Sequence, residues 1–157
     1  MAKLEVTGLC DLISALERTA GKTEEIAFKS LYKGAKVIAD GIKQELESLT
    51  VDKKRGNKHS AVTEQEKDDL ISNFGIAKVQ VVSGEISTKI GFKGFGSTKT
   101  KKYPNGVPNQ LLIRSINSGT SFRKKNPFIR KTVNNLKEDA VKAMEEEAIK
   151  IIKEEFK

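Results

Sequence analysis

The strongest constraint on this chain is an apolar stripe in its first third. Phe28, Leu31, Ala35, Ile38, Ile42 and Leu49 recur at steps of three, four and seven. That spacing puts all six on one side of an α-helix. A helix carrying them covers roughly 26 residues, about 39 Å at 1.5 Å per residue. Such a helix cannot bury its own stripe and needs a partner layer. Thr23 is placed to cap it, with Glu24 and Glu25 in the first turn, where the helix dipole favours anions. Gly34 and Gly41 lie seven apart on nearly one face. Glycine inside a helix costs up to about 1 kcal/mol. The pair therefore marks either the close approach of a second backbone or simple tolerance on an exposed face.

The remaining elements follow from local signals. Leu9, Leu12, Ile13 and Leu16 suggest a short amphipathic helix stopped at Gly21. Thr63-Glu64-Gln65-Glu66 has the pattern of a capping box, opening a short helix that runs to about Asn73. Val79 and Val81, then Ile86, Thr88, Ile90 and Phe92, alternate with other residues around Ser83-Gly84, which predicts a two-stranded hairpin with one buried face. Pro108 begins a helix with Leu111, Leu112 and Ile116, closed near Gly119. Asn126 as N-cap and Pro127 at the first position start a last helix, with Leu136, Ala140, Ala143, Ala148, Ile151 and Ile152 on its apolar face. Two or three strands cannot close a core alone. The expected fold is α+β: two long helices packed on a small antiparallel β-sheet, in a single domain over 1–157, with extended basic loops at about 51–62, 93–107 and 119–126.

Charge is unevenly spread. The net charge is +8. Residues 1–50 hold 7 basic and 8 acidic groups, and 136–157 hold 5 and 7; the middle, 51–135, holds 17 and 6, a net of +11. The excess lies in three loops: Lys53, Lys54 and Arg55; Lys99, Lys101 and Lys102; Arg123, Lys124 and Lys125. Brought together, they would bind polyanions in a salt-dependent way. Phe95, Tyr103 and Phe122 lie beside them and are placed to stack on bases. No helix-turn-helix, zinc or RNP-type signature accompanies them.

Catalytic chemistry has little to work with. The only histidine is His59 and the only cysteine is Cys10, so Cys/His metal sites fail on count and no intramolecular disulfide can form. Cys10 sits among helix-spaced leucines and reads as a small packed hydrophobe, His59 as a solvated loop residue. Gly91-Phe92-Lys93-Gly94-Phe95-Gly96 lacks the Gly-Lys-Ser/Thr ending of a phosphate loop. Met1-Ala2-Lys3-Leu4-Glu5 offers no apolar signal region, and no apolar run approaches the ~18 residues of a membrane span. No enzyme, cofactor, metal or membrane is expected.

Several stretches, in order, resemble a known family. These are Val6-Thr7-Gly8-Leu9-Cys10-Asp11-Leu12; Lys33-Gly34-Ala35-Lys36-Val37-Ile38-Ala39 within a long helix rich in small residues; and Gly119-Thr120-Ser121 followed by Pro127-Phe128-Ile129-Arg130 before a C-terminal helix. The set is similar to the small tail-component family of long-tailed phages and prophages, also described as neck, head–tail joining or tail-completion proteins. One stretch departs. Many members carry a Pro-x-Asp-Thr-Gly-x-Leu segment where this chain reads Thr63-Glu64-Gln65-Glu66-Lys67-Asp68-Asp69-Leu70, so loop geometry there is not carried over.

The resemblance implies a virion structural protein, assembled in the bacterial host cytoplasm. It would form a homo-oligomeric ring, a hexamer by analogy with tail terminators, between the phage connector and the tail-tube proteins. DNA would pass through the lumen. A basic DNA-binding accessory protein is the alternative. The Gly119–Arg130 stretch makes sense as a structural elbow. Gly119 ends one helix in a left-handed conformation, Thr120 and Ser121 satisfy loose backbone groups, Pro127 fixes the next helix start, and Phe128 pins it to the core. Arg130, in an unfavourable first turn, is expected to pair with a carboxylate within or between subunits.

Overall fold

A computed structural model describes residues 17–18, 20–52, 62–82 and 84–155. Its elements run α1 (Thr23–Glu47), α2 (Glu64–Ser72), β1 (Phe74–Ile76), β2 (Gln80–Val82), β3 (Glu85–Ser87), β4 (Ile90–Phe92), α3 (Asn109–Ser118) and α4 (Phe128–Glu155). The α+β class holds. The helix predicted over Leu9–Leu16 lies outside the described residues.

The long helices pack chiefly on each other. Gly34 meets Ala140 and Met144, and Gly41 meets Thr132 and Leu136, so α1 and α4 run antiparallel. A Cβ at Gly34 would lie 3.0 Å from the Ala140 carbonyl oxygen and closer still to the Met144 side chain. A Cβ at Gly41 would collide with the Leu136 side chain. The glycine pair therefore marks close approach of a second helix, resolving the ambiguity in the sequence. The expectation that both long helices lie on the sheet needs adjusting: strand contacts fall mainly to α1 and α3.

The core gathers at one end of this helix pair. Ile42, Leu46 and Leu49 from the end of α1 meet Leu70 of α2, Phe92 of β4, Leu112, Ile113 and Ile116 of α3, and Phe128 of α4. Leu46 and Leu70 are fully enclosed. Ile113, not Leu111, is the inward residue of α3; Leu111 stays exposed. The Phe74 and Phe92 rings stack at 5.0 Å between centroids. The opposite end of the pair, toward the start of α1 and the end of α4, reaches away from this core.

The hairpin differs from a simple one. It begins at Phe74, and its arms form two short ladders, β1 with β4 and β2 with β3. Ile76 faces Ile90, but Gln80 faces Ser87. Three residues, 77–79, thus oppose two, 88–89, which is the signature of a β-bulge. The Ala77 amide still donates to the Lys89 carbonyl at 2.7 Å, and the Thr88 hydroxyl to the Ala77 carbonyl at 2.8 Å. Gly84, at φ 82°, supplies the positive-φ position of the turn. Val81, expected on the buried face, is half exposed.

Helix ends show which local signals were physical. At Thr63 the capping box is complete: the Glu66 amide donates to the Thr63 hydroxyl at 3.2 Å, and the Thr63 amide to the Glu66 carboxylate at 3.1 Å. At α1 the expected cap is not made. Thr23 is the first helical residue, Lys22 takes the cap position, and the Thr23 hydroxyl donates back to the Ala20 carbonyl. Residues 17–18 and 20–21 are themselves helical, so Gly21 is followed by a turn at Lys22 rather than a clean stop.

Candidate functional site

The charged side chains divide into those that build the fold and those left facing solvent. Glu66 is the key builder. Its side chain is 4% exposed and accepts from Arg123 Nη2 at 3.0 Å, while Arg123 Nη1 donates to the Ser115 hydroxyl at 3.1 Å. Arg123 is 9% exposed. The expectation that Arg123 contacts a partner or DNA is therefore corrected. It is a buried clamp between α2, α3 and the loop at 119–126, and its guanidinium is consumed inside the fold. Two of its three nitrogens, Nη1 and Nη2, are bonded and Nε is left without an acceptor among the described residues; the ion pair matters because an unpaired buried charge carries a desolvation cost of several kcal/mol.

One turn along α2, Asp69 holds a second loop. Its carboxylate accepts from the Ser97 amide at 2.6 Å and the Ser97 hydroxyl at 2.7 Å. The loop at 93–107 is itself folded. Gly96 donates to the Val107 carbonyl, Val107 to Thr98, and Tyr103 to Thr100, so the segment doubles back as a small hairpin. Asn109, fully buried, anchors its base by donating from Nδ2 to the Lys93 carbonyl at 2.9 Å. Gly106, at φ 108°, packs onto the Gly96 carbonyl, leaving no room for a side chain.

The ends of the first basic loop are also tied here. Val51 and Val62 form a backbone bridge, the Asp52 amide donates to the Val62 carbonyl at 3.0 Å, and Thr63 follows as the cap of α2. Lys67 of α2 donates to the Glu47 carbonyl at the end of α1 at 2.5 Å. One nine-residue helix thus organises all three basic segments. Among the expected contact residues, Lys99, Lys101, Lys102, Lys124 and Lys125 are exposed on two of them. Lys102 lies over the Tyr103 ring at 5.7 Å. Phe95 and Phe122 stand out into solvent at 61% and 57% exposure, beside these lysines. Lys53, Lys54, Arg55 and His59, like Cys10, lie outside the described residues.

An Asp69→Ala substitution should release the tip of the 93–107 loop without unfolding the core. Trypsin cleavage at Lys99, Lys101 and Lys102 is expected to accelerate about tenfold or more, with the thermal midpoint falling only a few degrees, as for a loss of roughly 1–2 kcal/mol. Unchanged cleavage would remove Asp69 from this role.

At the elbow, Phe128 lies where expected, while Pro127, Gly119 and Arg130 do not. Phe128 is buried in the core, and the Asn126 amide donates to the Ile116 carbonyl at 2.9 Å, satisfying an end carbonyl of α3. Thr120 and Arg123 exchange backbone hydrogen bonds across a tight turn with Ser121 and Phe122 at its tip. Pro127 precedes the first helical residue instead of being it, and its carbonyl accepts from Lys131. Gly119 has positive φ, 76°, but ψ of 166°, an extended mirror-image conformation and not the left-handed helical one expected. Lys125 backbone atoms lie 3.0 Å from where its Cβ would be. Arg130 is exposed and makes no ion pair with any described carboxylate.

A second basic surface was missed in the sequence. Lys29, Lys33 and Lys36 project from one face of α1 at one per turn, and Lys78 comes from the β-bulge opposite. With Phe28, Tyr32, Val79 and Glu147 they line an open groove of about 570 Å³. Lys29 pairs with Glu25 at 2.6 Å. That contact holds the Glu25 carboxyl below and the Lys29 ammonium above their ordinary values, chiefly through the hydrogen bond between them and then through their charges. Lys33, Lys36 and Lys78 have no carboxylate within ion-pair distance among the described residues. The signal was present as a spacing of four and three, but the surrounding Glu and Asp cancelled it in the segment total.

No helix among the described residues is long and apolar enough to cross a membrane, and no group of acidic, His or Cys side chains among them could hold a metal ion. No family model, curated protein or solved structure matches this chain.

Proposed function

We propose that this chain is a non-enzymatic virion structural protein at the head–tail junction of a long-tailed phage. It forms a homo-oligomeric ring that joins the connector to the tail tube. The family reading rests on the ordered motifs from Val6 to Arg130. The observation that supports self-association is the outward flank of the helix pair. Val141 and Ile149 of α4 are 52% and 50% exposed. Val141, Ala148 and Ile152 follow one another at steps of seven and four, which aligns them along one side of α4, with Ile149 next to them. Tyr32 of α1 is also half exposed. Large apolar side chains grouped on an otherwise charged helix are typical of a surface that is covered in the assembled state.

Light scattering and electron microscopy of the full chain test this. The expected result is a closed ring of identical subunits. Val141→Asp with Ile149→Asp should return it to a folded monomer with an unchanged far-ultraviolet spectrum. A chain that stays monomeric at all accessible concentrations would overturn the reading. The basic loops arranged around α2 favour a second reading, a DNA-binding accessory protein. Tight duplex binding by a persistent monomer at ~150 mM salt would select it.

A further inference from the structure

We propose that the lysine groove between α1 and the β-bulge is a binding track for the phosphodiester backbone of nucleic acid, separate from the basic loops around α2. Three features point to this ligand. Lys29, Lys33 and Lys36 repeat once per turn along one helix face. Their span is about 10 Å of helix rise, over which duplex DNA carries roughly six phosphate charges. A linear, periodic cation track matches a linear, periodic polyanion better than it matches a single small anion. Lys78 stands on the opposite wall, so a phosphate strand in the groove meets cations from two elements.

The groove is also open and exposed, as suits a ligand that slides through or lies along it. Tyr32, half exposed beside Lys33, offers a phenol and an aromatic face to the sugar or base edge. The β-bulge is what makes the second wall. The extra residue among 77–79 leaves the ladder, and Lys78 sits at its centre. Glu147 is the one carboxylate among the lining residues, while Glu25 is already engaged by Lys29. Lys33, Lys36 and Lys78 thus line the groove with a single carboxylate among them. Cations so placed gather small anions, and release of counterions on binding DNA contributes to affinity.

The inference extends the ring reading and relies on it only for where the DNA comes from. The test uses the full chain and a ~20-base-pair duplex labelled for fluorescence anisotropy. Binding is measured from about 50 to 200 mM salt for the native chain, for Lys33→Gln/Lys36→Gln/Lys78→Gln, and for Lys99→Gln/Lys101→Gln/Lys102→Gln. The groove variant is expected to lose at least tenfold in affinity at low salt, and its log–log salt slope should shrink by about 2–3. The loop variant should lose less and keep most of the slope. All six lysines are exposed, so both variants should melt as the native chain does. Native-like binding and slope in the groove variant would overturn the proposal, as would a native chain that binds no duplex at 50 mM salt. So would binding of polyglutamate, but not of DNA, that the groove variant abolishes; the groove would then be a seat for an acidic protein surface. Light scattering on the same samples reads the oligomeric state directly, so loss of DNA binding by the groove variant and failure of the ring are seen as separate results.

Discussion

Replacing Arg123 with methionine is expected to lower folding stability by about 3–5 kcal/mol, the usual cost of removing one partner from a buried ion pair. For a domain of this size each kcal/mol moves the thermal midpoint by about 2–4 °C, so a fall on the order of 10 °C or more should be seen. The reason is the position of Glu66. With Arg123 gone, its carboxylate stays 4% exposed and loses the cation that compensates its charge, while the Thr63 amide still donates to it. Lysine at 123 should rescue poorly, because one ammonium cannot reproduce the fork that reaches both Ser115 and Glu66. Removing both charges, as Arg123→Met with Glu66→Met, should recover much of the loss, since a hydrophobic pair often replaces a buried ion pair at little cost. Recovery should stop about 1 kcal/mol short, because Glu66 also completes the capping box. The neighbouring Lys124→Ser and Lys125→Ser are expected to change stability by under ~0.5 kcal/mol. Chemical denaturation of these variants decides the matter. A native-like Arg123→Met would mean that the clamp does not hold in solution.

The second large effect is expected between the long helices. Gly34→Val with Gly41→Val should destabilise the chain by about 2–6 kcal/mol. Two effects compete at each site. Valine is a slightly better helix former than glycine, by a few tenths of a kcal/mol. Against this, overpacking a close helix contact costs about 1–3 kcal/mol per site. The positions are two turns apart, so the costs should add. Overpacking wins because Gly34 faces a backbone carbonyl, which cannot step aside, and Gly41 faces both Thr132 and Leu136. Leu136→Ala placed on Gly41→Val should return part of the loss by vacating the space the new side chain enters. Failure of that rescue, with the single variants still destabilised, would place the cost elsewhere than in the helix contact. If all the glycine variants melt like the native chain, the antiparallel packing of α1 on α4 is wrong.

These two sites also show what could be read in the sequence. The glycine pair, the capping box at Thr63 and the Phe128 anchor were legible because each depends on spacing within one element or across one short turn. The Arg123–Glu66 pair was not, because its partners are 57 residues apart. In sequence, Arg123, Lys124 and Lys125 are three equivalent cations. Only the fold sends one inward and leaves two outside. The lysine face of α1 failed to register for the opposite reason. Its residues are close in sequence, but a charge sum over a segment averages around the helix and erases the face. The hairpin was legible as alternation, while its division into two ladders was not, because a single extra residue leaves the pattern on the second arm intact.

That extra residue lies on one arm only. Beyond the bulge, Val81 is paired with Ile86 and Gln80 with Ser87. The bulge absorbs the difference in length, so the register on either side of it is that of a regular ladder. Loss of one residue among 77–79 would therefore close the ladder and leave the pairing of the tip as it is. The hairpin can do without the bulge; what the bulge decides is where Lys78 is carried, at the wall of the groove.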